Sequence, residues 1–212
     1  VASLYPRFSE YYATNKQRLA ALLQDSLKYL ALIALPVSVG IFVLSSDIVF
    51  SLFGDKYANS ILPLQILIFS LLFSFTSFPI GSFLNATNRQ TTQTTITGVV
   101  LVINFALNII LIPRFGAIGA AVSALSGNIL LAVLGYMIIP KVVAISHAFM
   151  FRTLNQLALA SGVMAVVVYI INLYTNFIVA ILAGGLVYAE MLFITKTLTF
   201  AEVKQLKSIL RS

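Results

Sequence analysis

Six apolar runs, at 29–53, 61–84, 94–112, 116–140, 154–173 and 177–195, fill most of this 212-residue chain. Each is close to the roughly 17–25 residues an α-helix needs to cross a hydrocarbon core of ~30 Å. The 13 Lys and Arg residues fall between the runs in an alternating pattern. Arg7, Lys16, Arg18 and Lys28 precede the first run. Arg89 follows the second, Lys141 and Arg152 follow the fourth, and Lys196, Lys204, Lys207 and Arg211 follow the sixth. Only Lys56 and Arg114 occupy the other gaps. Basic loops stay on the cytoplasmic side, so the pattern predicts a multi-pass protein of the cytoplasmic membrane with both ends of this chain cytoplasmic.

Composition excludes most other classes. The chain is 60% hydrophobic and 9% charged, with a mean hydropathy of +1.02. That leaves too little polar material to coat a water-soluble core. The net charge of +7 sits in gaps flanking the apolar runs, which fits anionic lipid headgroups and argues against nucleic acid as a partner. With no Cys and one His, no metal-ligand set is visible. The six acids, Glu10, Asp25, Asp47, Asp55, Glu190 and Glu202, are scattered, and no Ser/His/Asp set is present. Neither a catalytic centre nor a cofactor is therefore expected.

The expected fold class is an all-α integral membrane protein: six transmembrane helices plus interfacial amphipathic helices. Residues 1–28 read as the end of a helix stopped by Pro6, then an amphipathic helix at 15–30 lying on the membrane surface. Residues 29–140 carry four spans, 141–153 a cytoplasmic loop with the isolated His147, and 154–195 two further spans. Residues 196–212 read as a basic amphipathic tail opened by a capping box at Thr199 and Glu202. The tight hairpin 113–116, PRFG, separates the third and fourth spans. The fourth places Gly116, Ala120 and Ala124 four residues apart beside Gly119, Ser123 and Gly127, a spacing that lets helix backbones approach closely in lipid.

Four segments carry a family resemblance. Residues 107–121, LNIILIPRFGAIGAA, resemble the signature of polysaccharide-export flippases in the multidrug/oligosaccharidyl-lipid/polysaccharide exporter superfamily. Residues 4–9 (LYPRFS), 52–58 (LFGDKYA) and 81–90 (GSFLNATNRQ) resemble other segments of that family in the same order. The resemblance covers the chain to roughly residue 145. It implies the last six spans of a fourteen-span transporter, four of them in the C-terminal lobe and two extra. The partners it implies are membrane lipids, a lipid-linked glycan and the missing N-terminal lobe of the same chain.

Each candidate residue has two readings. Asn104 and Asn108 share one helix face with Asn128 nearby; they either line a polar cavity or bond across a helix interface. Arg89 would contact a lipid pyrophosphate or anchor the topology. Glu190, well inside a run, and Asp47, near the outer end of another, would couple an ion or remain structural. Pro36 and the Pro79–Gly81 pair would act as hinges or static kinks. A transporter flipping lipid-linked oligosaccharide leads the functional readings. A cation-coupled drug exporter of the same superfamily would rest on Glu190 and Asp47. A membrane transferase lacks clustered carboxylates, and a non-transporting scaffold would look the same in sequence.

Overall fold

The computed structural model describes residues 4–195 and 197–198. Eight α-helices follow in order: α1 (Leu4–Thr14), α2 (Lys16–Val43), α3 (Ser45–Phe53), α4 (Ile61–Ala86), α5 (Gln90–Phe115), α6 (Ala117–Ile138), α7 (His147–Tyr174) and α8 (Phe177–Ile194). Short 3-10 turns lie at Asp55–Ser60 and Ile139–Lys141. The segments Lys16–Val43, Asp55–Ala86, Gln90–Phe115, Ala117–Lys141, His147–Tyr174 and Phe177–Ile194 are long and apolar enough to cross a membrane. The six-span all-α architecture expected from the apolar runs is therefore present.

Contacts between helices form a row. α2 packs on α4 to one side and α7 to the other; α6 packs on α4 and α5, and α8 closes the row against α7. α2 consequently belongs to two cores. Its first half puts Leu19, Leu23 and Leu27 against Phe8, Phe83 and Ile139. Phe8 meets Phe83 edge to face, with ring centroids 5.9 Å apart. Its second half and the residue after it put Ala31, Ala34 and Leu44 in the interior, Ala31 and Leu44 packing with Leu157, Ala160, Val168 and Tyr188. In lipid these contacts stabilise through close packing more than through water release.

Several boundaries differ from the sequence expectations. Pro6 does not stop a helix; α1 runs past it to Thr14. Residues 16–30 do not form a separate surface helix. They are the opening turns of α2, and their leucine stripe faces α1 and α4 rather than lipid headgroups. Asn15 starts that helix, its side chain accepting from the backbone N–H groups of Gln17 and Arg18 at 2.9 and 3.0 Å. The first apolar run, 29–53, is broken at Leu44, which has φ −94° and ψ 11°. There Ser45, almost fully buried, accepts a 2.8 Å bond from Gln65 Nε2 of α4. The helix also runs through Pro113 to Phe115 before Gly116 turns the chain with φ +56°. The 141–153 loop is shorter than expected, because Ser146 caps α7 by accepting from the Phe149 N–H at 3.2 Å. The capping box at 199–202 and the basic stripe after it lie outside the described residues.

Candidate functional site

Grooves of different lining lie along the row of helices. The first region is built by α4, α5 and α6, and its largely apolar lining is interrupted by hydroxyls and amides. In α4 the hydroxyls of Thr76 and Ser77 bond back to the carbonyls of Leu72 and Phe73, both at 2.9 Å. Such back-bonding bends helices, and it occurs just before Pro79. Ser74, Ser77 and Ser82 line, together with Gln93 of α5, a groove of about 320 Å³. Gly81 makes room for that amide: a Cβ there would lie 3.3 Å from Gln93 Nε2.

Beyond Leu131, which both share, a second depression of about 320 Å³ carries Thr97, Asn104 and Asn128. Asn104 there belongs to a hydrogen-bonded ladder. Asn108 Nδ2 donates to Asn104 Oδ1 at 2.9 Å, and Asn104 Nδ2 donates to the Ser123 carbonyl of α6 at 2.8 Å. Ser123, fully buried, donates to the Gly119 carbonyl at 2.9 Å. The structure thus brings Asn104 and Asn108 together as a helix–helix bond, and Asn104 also lines the depression. Asn128 spends one donor on the Ala124 carbonyl at 3.0 Å, within its own helix. Its Oδ1 and the groove hydroxyls make an uncharged set suited to sugar hydroxyls.

Small residues allow the close approach of α5 and α6. A side chain at Gly119 would collide with the Leu111 carbonyl, and one at Gly127 would lie 2.9 Å from Asn104 Nδ2. The packing stripe is Gly119, Ser123 and Gly127, all buried. Ala120 and Ala124 flank it half-buried, and Gly116 is exposed in the turn.

The second groove, about 290 Å³, is almost wholly apolar and lies between α2, α3, α7 and α8. Pro36, Gly40, Ile48, Met164, Val168 and Gly184 line it. An apolar lining of this kind suits an acyl chain.

The remaining sequence candidates are dispersed. Arg89 lies half-buried in the α4–α5 turn after Asn88, whose φ is +60°. Asp47 of α3 accepts from Asn172 Nδ2 of α7 at 3.0 Å. Glu190 is exposed on α8, and neither acid lines either groove. His147 is not a free loop residue: it opens α7, and its Nδ1 lies 2.8 Å from the Tyr136 hydroxyl of α6. Among the described residues no three His, Cys, Asp or Glu side chains gather as metal ligands.

Sequence reasoning missed Gln93, Gln65 and Tyr188. Tyr188 of α8 donates to the Leu32 carbonyl of α2 at 2.8 Å. Pro36, four residues after Leu32, signals that this carbonyl lacks its helical donor. Nothing in the linear order says which helix supplies the replacement.

Comparison with known proteins finds similar chains among membrane proteins. Residues 1–188 match the family model described as lipid II flippase MurJ. An uncharacterized membrane protein of Methanocaldococcus jannaschii, MJ1068, is 28% identical over 98% of this chain and 42% of its own length. The "probable low-salt glycan biosynthesis flippase Agl15" of Haloferax volcanii is 26% identical over 90% of this chain and 41% of its own. An uncharacterized membrane protein in the cps region of Klebsiella pneumoniae is 27% identical over 96% and 43%. A solved structure of lipid II flippase MurJ in an inward closed conformation superimposes with a TM-score of 0.77, at 21% identity, over 90% of this chain and 42% of that one. The chain spans about two-fifths of the length of these relatives.

Proposed function

The chain belongs to the MurJ lipid II flippase family, within the multidrug/oligosaccharidyl-lipid/polysaccharide exporters, and from that premise we propose that it is the C-terminal part of a transporter for lipid-linked oligosaccharide. Such a cargo is amphiphilic: a glycan that hydrocarbon does not dissolve, on a tail that water does not dissolve. The observation that carries this reading is the pairing of two grooves on one helix row. One is a pair of adjoining depressions whose largely apolar lining carries Ser74, Ser77 and Gln93 in the first and Asn104 and Asn128 in the second; the other is almost wholly apolar and opens beside Pro36. The uncharged amides would hold sugar hydroxyls while the tail stays in the apolar groove or in lipid. The two lobes of the complete protein would alternate access, with the Pro36 and Pro79–Gly81 bends as hinges. Arg89, at the turn between α4 and α5, would meet the pyrophosphate on the cytoplasmic side.

The test uses the complete protein in vesicles loaded with a fluorescent lipid-linked oligosaccharide in the inner leaflet. Arrival of the glycan outside, read by cleavage with an impermeant glycosidase, is the expected result. In that assay Gln93→Ala and Asn128→Ala each slow transport by about fivefold, equivalent to one hydrogen bond of about 1 kcal/mol. Cationic drug efflux without glycan movement would overturn the reading.

A further inference from the structure

Ser74, Phe78 and Ser82 stand one turn apart on α4, so they share one face of the helix, each Cα about 6 Å from the next along the axis. The helix turns Pro79, Ile80, Phe83 and Leu84 into the interior. Phe78 stays 52% exposed and lines the groove together with Gln93 of α5 and Leu131 of α6. The polar groups around its ring are uncommitted. Among the described residues Ser74, Ser82 and Gln93 make no side-chain hydrogen bond, whereas Ser77 gives its proton to the Phe73 carbonyl at 2.9 Å. Two hydroxyls and an amide without partners are costly against hydrocarbon. Set around an aromatic ring, they form a surface that is apolar at its centre and polar at its edges.

We propose that this part of the groove is a sugar subsite with Phe78 as its platform: one neutral hexopyranose lays a C–H face on the ring while its hydroxyls bond to Ser74, Ser82 and Gln93. A pyranose is apolar across its faces and polar around its rim, the same division as the lining. The π face of Phe78 carries partial negative charge and attracts weakly positive C–H groups. The serine hydroxyls lie one turn to either side of the platform, and Gln93 offers two N–H donors and an oxygen acceptor. Gly81 leaves space for that amide, since a Cβ there would lie 3.3 Å from its Nε2. A groove of about 320 Å³ is at the small end of ligand pockets, suited to a sugar ring rather than a whole glycan. Among the described residues no charged side chain lines it, so a neutral ring enters without an unpaired charge and an acidic one does not. That the ring belongs to a transported glycan rests on the function proposed above; the subsite rests on the groove.

The experiment reads binding and transport separately. The complete protein, in a detergent whose headgroup is not a sugar, is mixed in turn with the methyl pyranosides of glucose, galactose and mannose and with methyl glucuronide. Saturation-transfer NMR then records which sugar protons receive magnetisation from the aromatic protons of the protein. At least one neutral glycoside takes up saturation on the C–H protons of one ring face, and the glucuronide takes up less. Phe78→Leu, which keeps an apolar side chain at an exposed position, abolishes that transfer; Phe78→Tyr keeps it. Ser82→Ala and Gln93→Ala each weaken binding about fivefold, the factor set by one hydrogen bond. In the vesicle assay Phe78→Leu raises the glycan concentration for half-maximal transport about fivefold and leaves the maximal rate unchanged, as loss of ground-state binding requires. Absence of transfer to all three neutral glycosides, equal transfer in Phe78→Leu, or a preference for the glucuronide would overturn the subsite, and so would transport indifferent to Phe78→Leu. Sugar binding that depends on Phe78 in a protein that moves no glycan would sink the transport reading and leave the subsite standing.

Discussion

Gly127 shows how one missing side chain holds the polar face together. Asn104 Nδ2 occupies the space a Cβ would take, 2.9 Å away, and from there reaches the Ser123 carbonyl. Gly127→Val would push the amide off that carbonyl and overfill the α5–α6 contact. The lost interhelical bond is worth roughly 0.6–1.7 kcal/mol and overpacking about 1–3 kcal/mol more. Thermal unfolding in detergent should register a destabilisation of about 2–4 kcal/mol. Asn104→Ala should cost less, and the two together should cost less than their sum, because the second removes the group the first collides with. Equal additivity would mean that the glycine serves something other than the amide. Asn108, whose amide donates to Asn104 within the same helix, should cost the least of the three when changed to Ala.

Helix α2 is the element on which both cores depend, and its ends are set by single side chains. Its 28 residues rise about 42 Å, more than a hydrocarbon core needs, so its cap lies outside the membrane. Asn15→Ala should therefore destabilise by about 1 kcal/mol through the two lost cap bonds. An unchanged midpoint in a chemical or thermal melt would show that α1 alone fixes the entry of the chain. The six spans were legible because membrane insertion depends on length and apolarity, both local properties. The fate of residues 16–30 was not, since a leucine stripe at helical spacing looks the same whether it faces headgroups or Phe8 and Phe83. The break at Leu44 had no Pro or Gly to announce it and coincides with the Gln65–Ser45 bond from another helix. The asparagine pair of the polar face was visible from its spacing. Gln93 was not, because its place opposite Gly81 exists only once α4 and α5 are packed.

For the molecule as a whole, the helix row leaves orientation to charge. Antiparallel packing is equally good either way up, and what distinguishes the two is where Lys and Arg lie. The described turns after α4 and α6 hold Arg89 and Lys141, the turn after α3 holds Lys56, and Arg114 lies in the last turn of α5. The turns alone are nearly balanced, so the bias comes from Arg7, Lys16, Arg18 and Lys28 before the first crossing and from the basic residues after the last. We expect the chain ends to be cytoplasmic for that reason. The chain has no cysteine, so single ones can be introduced at exposed Lys56 and Thr175 on one side and Asn88 and Ala144 on the other. An impermeant maleimide added to intact cells carrying the complete protein should label the first pair and not the second. Replacing Arg7, Lys16 and Arg18 with Gln removes most of the leading charge while leaving the apolar runs intact. In that variant a measurable fraction of the molecules should label at Asn88 and Ala144. If labelling of the parent protein is reversed, the charge argument fails although the helix row stands; if Lys56 and Asn88 label alike, α4 does not cross the membrane and the row itself is wrong.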